Sequence, residues 1–292
     1  MADDDGSQGS RGSNATNSRS AGGDDEIAAY EKAQVLEKER QEREKVLMSS
    51  TKNVFAVLFE DYPFEVSNEI SRTCREELGF LSNPVLSYSE APYEEIFKQI
   101  VKLYRLGFTI ESEGHFIDLG SGSGTVAFTA VLSHDFTAVT GIEIVDSLHS
   151  VAEELNEEWD GIKNVLPTKK QDTIVKFQHG DCCHVDWSHG DVIYCNATCF
   201  DEKAVEKIAE LAWNLKPSAF FIMITKKMPP SSSLYFEFVD AGSIKMNWGI
   251  APVHFYKRNR ISKPNYIADR AQFVDYIISQ KAIPKYKSKP LL

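Results

Sequence analysis

Chemistry is most legible in the run Asp118-Leu119-Gly120-Ser121-Gly122-Ser123-Gly124-Thr125. Glycines at alternate positions let a backbone approach a ligand where a Cβ would collide. A turn of this kind that leads into a helix also presents free N–H groups to the ligand. Further on, Glu143 closes the apolar run Phe136-Thr137-Ala138-Val139-Thr140-Gly141-Ile142. A carboxylate at the end of a second strand can accept hydrogen bonds from both hydroxyls of a ribose. Two cofactor classes use such a layout. Dinucleotide sites usually read G-x-G-x-x-G, because a pyrophosphate sits on the helix N-terminus. Here an acid precedes the glycines, which repels a pyrophosphate and suits a cationic amino group. S-adenosyl-L-methionine carries that amino group, a carboxylate and a ribose, so it is preferred to NAD. A plain glycine turn in a βα unit is the remaining reading.

These residues need a scaffold, and the pattern around them supplies one. His115 to Leu119 reads as a strand and Val126 to Leu132 as the start of the helix after it. Val145 to Trp159 carries Leu148, Val151, Ala152 and Leu155 at helical spacing. Thr173 to Gln178 is a strand, followed by His179-Gly180-Asp181-Cys182, where Asp181 can accept from an adenine amino group. Asp191 to Cys195 is a strand that ends in Asn196-Ala197-Thr198-Cys199-Phe200. A helix with Val205, Ile208, Ala209, Leu211 and Ala212 inward comes next, then a fully buried strand over Ala219 to Thr225. Alternating strands and helices predict an α/β fold with a parallel sheet covered on both faces. Ligands then bind outside the carboxyl ends of the strands. Asp118, Glu143, Asp181 and Asn196 all fall at such ends. Leu234 to Tyr256 reads as two more strands, with Met246-Asn247-Trp248-Gly249 between them or early in the second.

Residues 1–23 are rich in Ser, Gly, Asn and Asp and are expected to be disordered. Residues 24–50 read as a charged helix with a thin apolar stripe through Ile27, Tyr30, Val35, Leu36 and Val46. A solvated helix is the simpler account, and pairing with a partner the other. Residues 51–106 are expected to form a helical subdomain interrupted by a loop at 84–92. Tyr88 and Glu90 sit on that loop, just before the helix that Pro92 opens. They are candidates for a lid, although Tyr88 alone is equally a packed aromatic. Residues 107–258 form the expected cofactor-binding domain.

Composition bounds the function. The chain has 292 residues, 42% of them hydrophobic, and a net charge of −11, so electrostatics alone do not make it a nucleic-acid binder. From Lys257 onward, nine basic residues face two acidic ones, Asp269 and Asp275. Such a tail, 259–292 for the most part, either tethers the protein to DNA or another acidic surface or neutralises its own domain. Five cysteines, odd in number, suit a reducing compartment. Cys182-Cys183 and Cys195/Cys199 lack zinc-site spacing, so no metal is expected. Neither a leader nor a membrane-spanning run is visible, and a soluble intracellular protein without membrane contact is expected.

Taken together, Asp118 to Gly124, Gly141-Ile142-Glu143, Gly180-Asp181 and Val192 to Phe200 resemble the disruptor-of-telomeric-silencing family over about Leu86 to Arg258. These are non-SET, seven-strand class I methyltransferases that modify a lysine of the histone core in nucleosomes. The glycine loop is common to class I methyltransferases. The Tyr88-x-Glu90 loop with Asn196-x-x-x-Phe200 is the more specific part. The resemblance implies a seven-strand Rossmann-like sheet with helices on both faces and a helical N-terminal extension. It assigns Glu143 to the ribose, Asp181 to adenine, and Asp118 with Gly120, Ser121, Gly122, Gly124 and Thr125 to the methionine part. Asn196, Tyr88 and Glu90 would close over the sulfonium, and Phe200, Trp248 and Phe255 would wall a lysine channel. Such walls disfavour a charged amine and lower its pKa. The chain departs from the family at Ser89 (a glycine there), Thr125 (a glutamine), Cys182 (an aromatic on adenine), Ala197 (a second asparagine) and Phe255 (often a hydroxyl). The implied activity is histone-lysine methylation in the nucleus, as a chromatin regulator. A same-fold enzyme for another protein or a small molecule, which suits the cytoplasm too, and a silent chromatin adaptor remain as alternatives.

Overall fold

The computed structural model describes residues 21–79, 87–108 and 114–260. The disorder expected of the first 20 residues and the basic tail beyond 260 lie outside the described residues, as do positions 84–86 of the expected loop. The chain divides into two compact units, residues 1–46 and 47–292.

The first helix, α1, spans Ala21–Leu58. No proline or glycine interrupts Asp24 to Leu58. The Ser50 and Thr51 hydroxyls donate back to the Leu47 carbonyl at 2.9 and 2.6 Å. Up to Val46 its surface is charged, with pairs such as Arg43–Glu39 at 3.6 Å, while Tyr30, Val35 and Leu36 are exposed. In the second unit follow α2 (Phe64–Glu77) and α3 (Tyr93–Arg105), then β1 (His115–Leu119), α4 (Thr125–Ser133), β2 (Ala138–Glu143) and α5 (Asp146–Ile162). A short α6 (Thr168–Gln171) precedes β3 (Ile174–His179) and β4 (Val192–Asn196). The chain then forms α7 (Glu202–Ala212), β5 (Phe220–Ile224), β6 (Phe236–Met246) and β7 (Gly249–Arg258).

The seven strands make one sheet in the order β3-β2-β1-β4-β5-β7-β6. The first five are parallel; β7 and β6 return antiparallel, with Asn247 and Trp248 at the hairpin turn. This is the α/β, seven-strand Rossmann-like sheet that the resemblance implied. Side chains of a strand alternate between faces, and both faces here are covered. Phe116, Val192, Tyr194, Phe220 and Ile222 join one core with α3 and α4, whereas Ile117, Ile193, Cys195, Phe221 and Met223 join the other with α7. Two buried faces explain why the central strands read as continuous apolar runs rather than as alternation. The strand order reverses between β1 and β4, and a ligand crevice is expected at the carboxyl ends there.

Candidate active site

A cavity of about 290 Å³ opens at that place. β1 delivers Asp118, β2 Glu143 and β4 Asn196; Asp181 follows β3 by two residues. All four line the cavity, together with Gly120, Ser121, Thr125, Cys182 and Phe200. Tyr88 and Glu90 close it from the loop before α3.

Glu143 is buried, and both its oxygens hold backbone: Gly122 N–H donates to Oε2 at 2.7 Å and Val145 N–H to Oε1 at 2.8 Å. Burial raises its pKa, against the pull of those N–H groups. Glu143 lines the cavity, and a carboxylate has acceptor capacity beyond these backbone bonds. Asp118 is 1% exposed, and its Oδ2 has no partner among the described residues. Burial, and next the Glu143 charge, push its carboxyl well above the usual range. The Ser121 hydroxyl, also in the cavity lining, is buried without a partner among the described residues. A buried acceptor left unmatched is costly, and this arrangement fits a ligand that brings a cationic donor. The amino group and ribose of S-adenosylmethionine match this donor and acceptor set.

The glycine turn also packs against the protein's own rings. A Cβ on Gly122 would stand 2.4 Å from the Tyr88 ring, and one on Gly124 2.8 Å from the Phe177 ring; both glycines have positive φ, 56° and 95°. Neither lines the cavity. The missing side chains make room for the protein's own aromatic rings, and the loop that carries Tyr88 packs on this turn. Tyr88 stacks on Phe64 of α2 with ring centroids 6.0 Å apart. Ser123 donates to Glu90 Oε1 at 3.2 Å, so the Tyr88 hydroxyl, 2.9 Å away, donates to Ser123. Thr125, where the family has glutamine, donates to the same Glu90 oxygen at 2.6 Å. Burial raises the Glu90 carboxyl to about 7, opposed by these two hydroxyls and assisted by the Glu65 charge.

Two of the expected site residues lie elsewhere. Phe255 is fully buried in the core, with the Lys102 ammonium of α3 4.7 Å above its ring, and does not reach the cavity. Its place on the inner, α3-facing side of β7 follows from strand alternation, which a sequence pattern of aromatics does not fix. Trp248 is half-exposed at the β6–β7 turn and lies outside the cavity wall. The turn does reach the lid, since Asn247 N–H donates to the Glu90 carbonyl at 2.9 Å. Sequence reasoning missed Cys183, Tyr194 and Cys199 in the wall. Tyr194 and Cys199 share the β4 end with Asn196, which was the available signal.

At the far end, Asp181 accepts from Cys183 N–H and pairs with His184 Nδ1, each at 2.8 Å. Asp181, Cys182 and Cys183 have possible metal-ligand atoms within 4.8 Å of one another; both Asp181 oxygens are already engaged. The buried Cys182 thiol supports a thiolate on Cys183, whose pKa is lowered while that of Cys182 rises. Iodoacetamide is therefore expected to alkylate Cys183 before Cys182. S-adenosylhomocysteine at about ten times its Kd should slow that reaction about tenfold, as the free fraction falls. Peptide mass spectrometry over time checks this; an unchanged rate would place the ligand away from this wall.

The family model for histone methylation protein DOT1 matches residues 83–247. No curated protein matches the chain in sequence. Similar solved structures include an RNA methyltransferase from Salinibacter ruber in complex with S-adenosyl-L-homocysteine, 17% identical, with 60% of this chain and 97% of that one covered at a TM-score of 0.44. Another is magnesium protoporphyrin IX methyltransferase from Synechocystis PCC 6803 with bound S-adenosylhomocysteine, 12% identical, covering 66% of this chain and 100% of that one at 0.44.

Proposed function

The chain belongs to the histone methylation protein DOT1 family, and from that premise we propose that it is an S-adenosylmethionine-dependent protein-lysine methyltransferase whose acceptor is a core-histone lysine in nucleosomes. The observation that carries the cofactor reading is the pair of buried acids, Asp118 with an unmatched oxygen and Glu143 braced by two N–H groups. Asp118 takes the amino group of the donor and Glu143 its ribose. Asp181 and Cys182 flank the adenine, and Gly120 and Ser121 the methionine part. The donor supplies an electrophilic methyl group on a sulfonium. Transfer to an amine is an in-line displacement, and most of the rate comes from holding the two at about 3 Å in line. Tyr88, Asn196 and Phe200 shape the acceptor end of the cavity and exclude water there.

A lysine reacts only after losing a proton. Glu90 is the titratable group at the lid, with a carboxyl at about 7. Ionised, it takes that proton directly or through water. Turnover is expected to rise with pH through about 7, and Glu90→Gln to lower the rate and flatten that limb. A profile unchanged in Glu90→Gln would remove Glu90 from the proton path.

No helix among the described residues is long and apolar enough to cross a membrane. A nuclear location is part of the same proposal, with the basic tail over 259–292 as a contact to DNA. Incubation of tritiated donor with nucleosomes, free histones and a cell lysate tests the acceptor. Label on a histone in nucleosomes is expected. Label only on other proteins or on small molecules would replace the histone with that acceptor. Cofactor binding without any label would make the chain a silent adaptor.

A further inference from the structure

Beyond the end of β5, Thr225 has φ +67°. A β-branched residue is an outlier in this region. Lys226 N–H donates to the Ile224 carbonyl at 2.8 Å, which closes a three-residue turn around Thr225. The form of this turn with positive φ is rare and strained. Thr225 N–H in turn donates to the Pro252 carbonyl of β7 at 2.8 Å, so the strain is held from outside the turn. Strain of this kind persists where the surroundings over-determine it, and it clusters at functional sites.

The strained turn aims one hydroxyl at the cavity wall. Asn196 Oδ1 accepts from the Thr198 hydroxyl at 2.7 Å and from Thr198 N–H at 3.4 Å. The Thr198 hydroxyl has one proton, and it is spent on Asn196. Its second contact, to the Thr225 hydroxyl at 2.7 Å, is then one in which Thr225 donates. A directed relay results, Thr225 to Thr198 to Asn196. With Oδ1 fixed, the Asn196 amide group must point Nδ2 the other way. There it donates to the Ser89 carbonyl at 3.1 Å and the Ser89 hydroxyl at 3.2 Å, both on the lid loop. Members of such a chain polarise one another in the same direction.

We propose that Thr225 is a positioning residue: through Thr198 it fixes the amide orientation of Asn196 and thereby the closed position of the lid loop over the cavity. Thr225 itself does not line the cavity. The inference rests on reading that cavity as the S-adenosylmethionine site. It also gives a use to Thr198, Thr225 and Ser89 together, since each supplies a hydroxyl to the same connection.

Amide hydrogen exchange of the peptide covering 87–91, with and without S-adenosylhomocysteine, reads the effect. Thr225→Val keeps the branched shape and removes the hydroxyl. It is expected to speed exchange in the liganded protein about tenfold, the loss of roughly one hydrogen bond. Thr225→Ser, which keeps the hydroxyl, should restore wild-type exchange. Thr225→Gly relieves the backbone and should raise the melting temperature while exchanging like the valine variant. Thr198→Val breaks the relay from the other side, and the double variant should be no worse than either single one. Wild-type exchange in Thr225→Val, or equal losses in the serine and valine variants, would overturn the proposal. If Thr225→Val does not fold, Thr198→Val against Thr198→Ser decides by the same readout. Calorimetry separates the two levels: a wild-type chain that does not bind S-adenosylhomocysteine sinks the site reading, whereas binding with an indifferent lid sinks this inference alone.

Discussion

Asp118→Asn is expected to unfold at a higher temperature than the wild-type chain at neutral pH and to bind S-adenosylmethionine about 100-fold more weakly. Both effects come from one buried carboxyl. Burial and the Glu143 charge raise its pKa in the folded state. An acid with a raised folded pKa binds more protons folded than unfolded between its two pKa values. Stability then falls as pH rises from the unfolded value, about 4, through the folded one. As pH rises toward neutral the wild-type chain loses that stability, while asparagine, which does not titrate, does not. For a chain of this size each kcal/mol regained shifts the midpoint by about 2–4 °C. Binding responds in the opposite sense. The cationic amino group needs the ionised carboxylate, so wild-type affinity should rise with pH until Asp118 is ionised. The asparagine variant should be weak and flat. Thermal scans with and without ligand across pH measure both. A variant that is destabilised, or that binds as wild type does, would show that Asp118 is not the amino-group acceptor.

Glu143→Ala is expected to cost more in affinity, about 100- to 1000-fold. Two charge-assisted hydrogen bonds to a ribose are worth roughly 3–4 kcal/mol together. The carboxylate also braces the glycine turn through Gly122 N–H and the start of α5 through Val145 N–H. Alanine leaves both donors unmatched, so the turn loosens beneath Tyr88 as well. Glu143→Gln is an informative control. Its amide keeps one acceptor oxygen, but its NH₂ group must face one of the two N–H donors. It is expected to fall close to alanine rather than midway to wild type. Titration calorimetry with S-adenosylhomocysteine checks both variants. Unchanged affinity in Glu143→Ala would end the ribose assignment.

A good part of this site is legible in the amino-acid order. Acids at strand ends, a glycine turn before a helix and alternating β and α patterns are local signals. They name Asp118, Glu143, Asp181 and Asn196, and the sheet brings all four to one cavity. The Tyr88 and Glu90 loop is legible in the same way, from its place ahead of α3. What the glycines accommodate is not. Spacing shows that a Cβ is unwelcome, but only the packed structure shows that the Tyr88 and Phe177 rings occupy the space. Phe255 illustrates the same limit, because an aromatic on a strand serves a channel or a core according to the face it takes.

Periodicity and residue type at strand ends are enough to read the fold class, the rim on which ligands bind and the chemical character of the cofactor. Folding alone settles which hydroxyls connect Thr225 to Asn196, that Trp248 stays outside the cavity wall, and that the β6–β7 turn reaches the Tyr88–Glu90 loop through Asn247. Those contacts join residues far apart in the chain through single hydrogen bonds. Their geometry is set by sheet register and loop packing, and no local pattern records it.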